Sequence, residues 1–187
     1  MRIYGNRLLK SPPGTATRPT PARVREALFN IWQGSIAGCR WLDLCAGSGQ
    51  MGAEALCRGA KSAIAIEQWG RACAIARENW QQVAKPEQTF QVLRGDVGKL
   101  LPSLAGQRFD RIYFDPPYAS DLYQPVLRAI VAYQLLAEAG ELAVESDPKQ
   151  WQALQIPGLI ICRQKVYGNT ALTFYCRGES LETIEFQ

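Results

Sequence analysis

Residues 41–52 read Trp41-Leu42-Asp43-Leu44-Cys45-Ala46-Gly47-Ser48-Gly49-Gln50-Met51-Gly52. Trp41, Leu42, Leu44 and Cys45 make an apolar run suited to a strand buried on both faces, and Gly47, Ser48 and Gly49 break it into a tight turn. Met51, Ala53, Ala55 and Leu56 follow at helical spacings, so the turn lies between a strand end and a helix N-terminus, where unpaired backbone N–H groups point outward. Bare glycines there tolerate unusual backbone angles and let a nucleotide-like ligand approach the main chain. Gly47, Gly49 and Gly52 match G-x-G-x-x-G, and Glu67 lies about 20 residues past the first glycine, where an acid that accepts from ribose hydroxyls is expected. Two features bend the pattern away from a nicotinamide dehydrogenase. Asp43 sits inside the strand, and a second motif, Asp115-Pro116-Pro117-Tyr118, ends a later one.

Outward from the turn, apolar strands and helices alternate. Ser62 to Glu67 predicts a second strand. Ala72, Ile75, Ala76, Trp80 and Val83 mark a helix that Pro86 closes, and Thr89 to Leu93 is a third strand. Asp96, just beyond it, either accepts from an adenine amino group or caps the turn from Val97 to Leu101. Phe109 to Phe114 supplies the fourth strand and runs straight into the Asp-Pro-Pro-Tyr motif. Leu122, Val126, Ile130 and Tyr133 stripe a helix, and Gly140 to Val144 gives a fifth strand. Leu159 to Lys165 and Ala171 to Arg177 read as a terminal antiparallel hairpin turned through Tyr167 to Thr170. Toward the N-terminus, Gly5-Asn6 turns a short hairpin between Arg2 and Lys10. Thr20 and Pro21 are placed to cap a helix whose apolar stripe is Val24, Ala27, Leu28 and Ile31. The pattern is a doubly wound α/β sheet, mostly parallel, with a ligand crevice outside the carboxyl ends of its first and fourth strands.

The 187 residues, 47% of them hydrophobic, suit one domain with a substantial core: an arm over 1–19 and a core over 20–187. The net charge of +4 permits a polyanionic partner without establishing one. No acid precedes Glu26, while Arg2, Arg7, Lys10, Arg18, Arg23 and Arg25 all occur, which concentrates positive charge at the N-terminus as a candidate RNA-binding surface. The absence of histidine excludes a Cys/His zinc site, a Ser-His-Asp triad and a histidine general base. The six cysteines contain no C-x-x-C pair and read as reduced, mostly structural thiols. No apolar stretch approaches the ~20 residues of a membrane span, and the N-terminus lacks the apolar core of a signal peptide. A cytoplasmic location is the expectation.

Together, D-x-C-A-G-S-G and D-P-P-Y resemble S-adenosylmethionine-dependent amino methyltransferases. The resemblance narrows with T-R-P-T at Thr17 to Thr20, R-V-R-E-A-L-F-N at Arg23 to Asn30, R-G-A at Arg58 to Ala60 and the late Y-G-N-T-A-L. With these the chain resembles the RsmD family, bacterial methyltransferases of 16S ribosomal RNA, over nearly its whole length. That likeness implies a Rossmann-like class I methyltransferase fold, with a mostly parallel seven-stranded sheet, a terminal antiparallel hairpin and a short N-terminal arm. It implies transfer of methyl from S-adenosylmethionine to the N2 amine of one guanine in small-subunit rRNA; in-line methyl transfer requires no metal, and the expected partner is that rRNA or an assembling 30S particle, met by a monomer. Asp43, Ala46, Gly47, Gly49, Glu67, Asp96 and Val97 would surround the donor, and Asp115, Pro116, Pro117 and Tyr118 the acceptor. A DNA adenine-N6 methyltransferase uses the same motif class and is the alternative, although little chain remains for a DNA-recognition domain. A protein glutamine methyltransferase would be expected to carry Asn in place of Asp115.

Overall fold

The computed structural model describes residues 1–11 and 22–178. At the N-terminus β1 (Arg2–Ile3) and β2 (Arg7–Leu8) pair antiparallel around a turn in which Gly5 and Asn6 both take positive φ, as the Gly-Asn pair predicts. Then follow α1 (Ala22–Ile31), β3 (Arg40–Leu44), α2 (Gln50–Cys57), β4 (Ser62–Glu67), α3 (Gly70–Val83), β5 (Thr89–Arg94), α4 (Val97–Leu100), β6 (Phe109–Phe114), α5 (Tyr123–Ala132), β7 (Leu136–Ser146), β8 (Leu159–Tyr167) and β9 (Thr170–Arg177). The proposed caps Thr20 and Pro21 lie outside the described residues.

Seven strands form one sheet in the order β5-β4-β3-β6-β7-β9-β8. The first four pairings across it are parallel, and β9 pairs antiparallel with both β7 and β8. From β3 the chain moves outward to β4 and β5, then returns to lay β6 on the other side of β3. The strand order therefore reverses between β3 and β6, and the carboxyl ends of those two strands form the crevice.

Period-two alternation along the strands feeds two cores. Trp41, Ala63, Ala65, Tyr113, Ala143 and Phe174 face α1, α2 and α3, packed with Leu28, Phe29, Trp32, Leu56, Ala76 and Trp80. On the other face Leu42, Leu44, Ile66, Ile112, Phe114, Leu142 and Val144 pack on Val97, Leu101, Val126, Leu127 and Ile130. Each fully buried leucine or isoleucine adds about 1.5–3 kcal/mol.

Three features differ from the sequence expectation. Cys45 does not continue β3; its φ of 62° starts the turn. The fifth strand begins at Leu136 and not at Gly140, because Leu136 pairs with Phe109 across an irregularity before Arg111 pairs with Glu141. The intervening Glu138-Ala139-Gly140 hides the alternation. Cys162 and Cys176, expected as thiols, form a disulfide between β8 and β9 with Cα atoms 6.1 Å apart. The register shift between Ile161 and Arg163 puts Cys162 beside the residue that Ile160 faces. Cys39, Cys45, Cys57 and Cys73 are free.

Candidate functional site

The glycine turn is held from three sides. The Gly47 amide donates to Glu67 Oε2 at 2.8 Å, and Glu67 Oε1 accepts from the Trp69 amide at 2.8 Å, so one carboxylate at the end of β4 ties the turn to the start of α3. The Cys45 and Ala46 amides donate to Ile66 O, and Gly49 N closes the turn onto Ala46 O at 2.8 Å. Asn79 of α3, wholly buried, donates from Nδ2 to Ser48 O at 2.9 Å. Its other bonds reach the arm, donating to Lys10 O at 3.1 Å and accepting from Lys10 N at 2.9 Å.

The three glycines of the motif have different neighbours. Among the described residues, chain neighbours aside, no atom lies within 4 Å of where a Cβ on Gly47 would stand. A Cβ on Gly49 would lie 2.6 Å from Trp80 Nε1, and one on Gly52 would lie 2.2 Å from the indole ring. Trp80 Nε1 also donates to Gly49 O at 2.6 Å, which pins the indole against both residues. Of the three, Gly47 has a bare side clear of every other described residue; Gly49 and Gly52 are bare so that α2 and α3 can meet.

Asp43, expected to touch the donor, is 1% exposed, and its Oδ2 accepts from the Gly52 amide at 2.9 Å. It braces the first turn of α2. Burial lifts its pKa to about 8 against the opposing pull of the Gly52 bond. Val97 is likewise a core residue, buried in the second cluster. Asp96 caps α4, its Oδ1 accepting from Lys99 N at 3.0 Å, which is the capping alternative posed from sequence.

Asp115 follows β6 with its amide donating to Leu44 O at 3.2 Å, so the second motif begins one hydrogen bond away from the strand that ends in the glycine turn. Pro116 is buried and Pro117 exposed. The Tyr118 hydroxyl donates to Glu145 Oε1 at 3.0 Å, and the Tyr113 hydroxyl donates to Glu145 Oε2. Glu145, 2% exposed at the end of β7, lies next to Asp115 because Val144 pairs with Phe114. Burial, then the Glu145 charge, push the Tyr118 phenol well above its ordinary pKa.

The basic residues divide. Arg23 is exposed on α1. Arg2 donates to Asn6, Arg7 to Val83 O at 3.1 Å, and Lys10 Nζ pairs with Glu78 at 2.6 Å, all at the surface. Arg18 lies outside the described residues. Arg25 is corrected: its guanidinium, 6% exposed, is 2.6 Å from Glu54 Oε2, and Glu54 also binds Arg58 at 2.8 Å. A buried arginine held by a buried glutamate locks α1 to α2 and offers nothing to phosphate.

Sequence reasoning missed Asn79, Trp80 and Glu145 as site residues. Asn79 was visible as a polar residue at the i+3 position of the Ala76, Trp80, Val83 stripe, and Glu145 as an acid closing a buried strand run.

The family model described as "Conserved hypothetical protein 95" matches residues 1–176. The chain is 34% identical over 171 residues to YlbH of Bacillus subtilis, covering 90% of this chain and 92% of that protein. It is 32% identical over 191 residues to ribosomal RNA small subunit methyltransferase D of Escherichia coli K12, with 96% and 93% covered. The solved structure of Escherichia coli yhhF superposes with a TM-score of 0.83 at 29% identity, covering 95% of this chain and 97% of that one. Both sequence motifs lie within the matched residues, at the switch point of a methyltransferase sheet, and the chain belongs to the RsmD family.

Proposed function

We propose that this protein transfers a methyl group from S-adenosylmethionine to the exocyclic N2 amine of a guanine in small-subunit ribosomal RNA, in the cytoplasm. The observation that carries this reading is the meeting of the two motifs. Asp115 is tied to Leu44 at the switch point, so the Asp115–Tyr118 tetrapeptide starts beside the strand that ends in the glycine turn, which supports an acceptor site next to a donor site. The relatives named as small-subunit rRNA methyltransferases support the substrate class.

The residues around the turn fit such a donor. Among the described residues, Gly47 has open space on its bare side, and Gln50 Nε2, buried at the start of α2, has no hydrogen-bond partner. Glu67 would hold the ribose: each of its oxygens accepts one backbone amide and keeps a lone pair for a hydroxyl. When bound, S-adenosylmethionine supplies an electrophilic methyl group on a positively charged sulfur. At the acceptor, the amine lone pair is delocalised into the base. The Asp115 carboxylate and the Pro116 carbonyl, accepting its two hydrogens, favour a tetrahedral nitrogen with its lone pair directed outward. Pro116 and Pro117 stiffen that backbone, and the Tyr118 ring offers a stacking face for an extruded base. The nitrogen becomes acidic only after it is methylated, and Asp115 or water then takes the proton.

The test is transfer of labelled methyl from S-adenosylmethionine to small-subunit rRNA, free and in particles lacking the modification, followed by mapping. N2-methylguanine at one site, lost in Asp115→Ala with donor binding retained, is the expected result. Label on adenine in DNA, and none on RNA, would replace this reading with the alternative.

A further inference from the structure

We propose that Glu145 is a positioning residue for the acceptor base, acting through the ring of Tyr118. The inference rests on Asp115 to Tyr118 being the acceptor site. Tyr118 stands in the irregular segment between β6 and α5, where the main chain alone does not fix the direction of a long side chain. Its hydroxyl is tethered to Glu145 Oε1 at 3.0 Å. The other end of that tether is rigid. Glu145 pairs with Leu172 of β9, its neighbour Val144 pairs with Phe114 of β6, and the Tyr123 hydroxyl donates to the Glu145 carbonyl at 3.4 Å.

A carboxylate suits this place for a geometric reason. Tyr113 and Tyr118 both present O–H donors, one to each carboxylate oxygen, and an ionised carboxylate accepts from both at once. Hydrogen bonds to a charged acceptor are roughly twice as strong as neutral ones. An apolar side chain would fill the same space without the cost of burying a charge, but it would remove the acceptor that the two phenols share. Tyr113 is 1% exposed and belongs to the core, so the tether runs from the core through Glu145 to the partly exposed ring of Tyr118. A base stacked on that ring inherits its position, and a misplacement of about 1 Å costs up to about a hundredfold in rate.

The experiment is a double-mutant cycle with Glu145→Gln and Tyr118→Phe. Glutamine keeps the shape but accepts through one oxygen only; phenylalanine keeps the ring and removes the tether. Each single variant should lower kcat by roughly tenfold and weaken RNA binding, measured without donor, by about fivefold, within the range of base stacking. S-adenosylhomocysteine affinity should stay within about twofold, and the double variant should be no worse than the poorer single variant. A purely structural role predicts losses that multiply, and that result overturns the proposal. So does a Glu145→Gln protein with kcat and RNA affinity within twofold of the wild type. Wild-type protein that methylates no RNA overturns the acceptor-site reading beneath it, and the wild-type rate tells the two failures apart.

Discussion

A methyl group on Gly52 would meet the Trp80 indole at 2.2 Å, and the indole is held by its bond to Gly49 O, so the clash cannot be relieved by a small rotation. Overpacking of this kind costs about 1–3 kcal/mol. Gly52→Ala should therefore lower the melting temperature by several degrees while leaving S-adenosylhomocysteine affinity unchanged well below the melt. Gly47→Ala should do the reverse in emphasis: no described residue obstructs it, but the methyl group fills the space on the bare side of the turn at a φ of +54°. Calorimetric titration of both variants separates the two roles; equal donor affinity in both would mean Gly47 does not face the donor. A single G-x-G-x-x-G pattern could not reveal this split, because the neighbour that demands two of its glycines comes from a helix about 30 residues later. Asp43 teaches the same point. Its place in the motif was legible, but its bond to the Gly52 amide was not, since that partner is supplied by the helix packed against the strand. Asp43 keeps its proton to about pH 8 in the fold, against an ordinary value of 3.8. The stability it contributes is thus fully present below about pH 4 and is lost as pH rises to about 8, by at most about 1.4 kcal/mol per pH unit. Asp43→Asn, which preserves an acceptor for Gly52 N, should flatten that decline in urea unfolding measured between pH 5 and pH 8. An unchanged slope would assign the decline to other groups.

The elements were easier to read than the packing between them. Buried parallel strands are continuous apolar runs, so β4 and β6 match their sequence bounds, and Gly168 with its φ of +66° turns the terminal hairpin where a Gly-Asn pair predicts it. The start of β7 was hidden because a bulge breaks alternation. The disulfide was hidden because a 14-residue separation says nothing about register. The arm shows what pairing adds. Read from sequence as a basic arm, it is docked on α3 by both main-chain groups of Lys10 bonding to Asn79, whose remaining amide hydrogen holds Ser48 of the glycine turn. One buried side chain thus joins the segment that leads into 12–21 to the turn that would hold the donor. Asn79→Leu should release the arm and loosen the turn together: trypsin should cut after Lys10 faster, and S-adenosylhomocysteine affinity should fall by roughly tenfold, the loss of about one to two hydrogen bonds. In the wild type, S-adenosylhomocysteine should slow that cleavage. Faster cleavage with unaltered donor affinity would show that the arm and the turn are independent.

Across the whole molecule, the exposed basic side chains of the N-terminal stretch gather on the arm and α1, with Arg7 reaching the C-terminal ends of α2 and α3. Arg2, Arg7 and Lys10 lie on the docked arm, and Asn79 joins that arm to the glycine turn; Arg23 is exposed on the adjoining helix. The Lys10–Glu78 pair is a surface pair with side chains 67% and 53% exposed, worth at most about 1 kcal/mol and easily exchanged for a phosphate. Arg25 belongs to the same basic stretch but is withdrawn into its ion pair with Glu54, so a count of N-terminal charges overstates what RNA can meet. The two classes separate in a salt titration. Replacing Arg2, Arg7, Lys10 and Arg23 together by glutamine should flatten the dependence of log affinity for rRNA on log salt, by about 0.7–0.9 for each phosphate no longer neutralised, with little change in melting temperature. Arg25→Gln should leave the slope intact while lowering stability by about 3–5 kcal/mol, because Glu54 loses a buried partner. A quadruple variant with the wild-type slope would remove this face from the RNA interface and send the search to the basic side chains of β8, Arg163 and Lys165, at the opposite edge of the sheet.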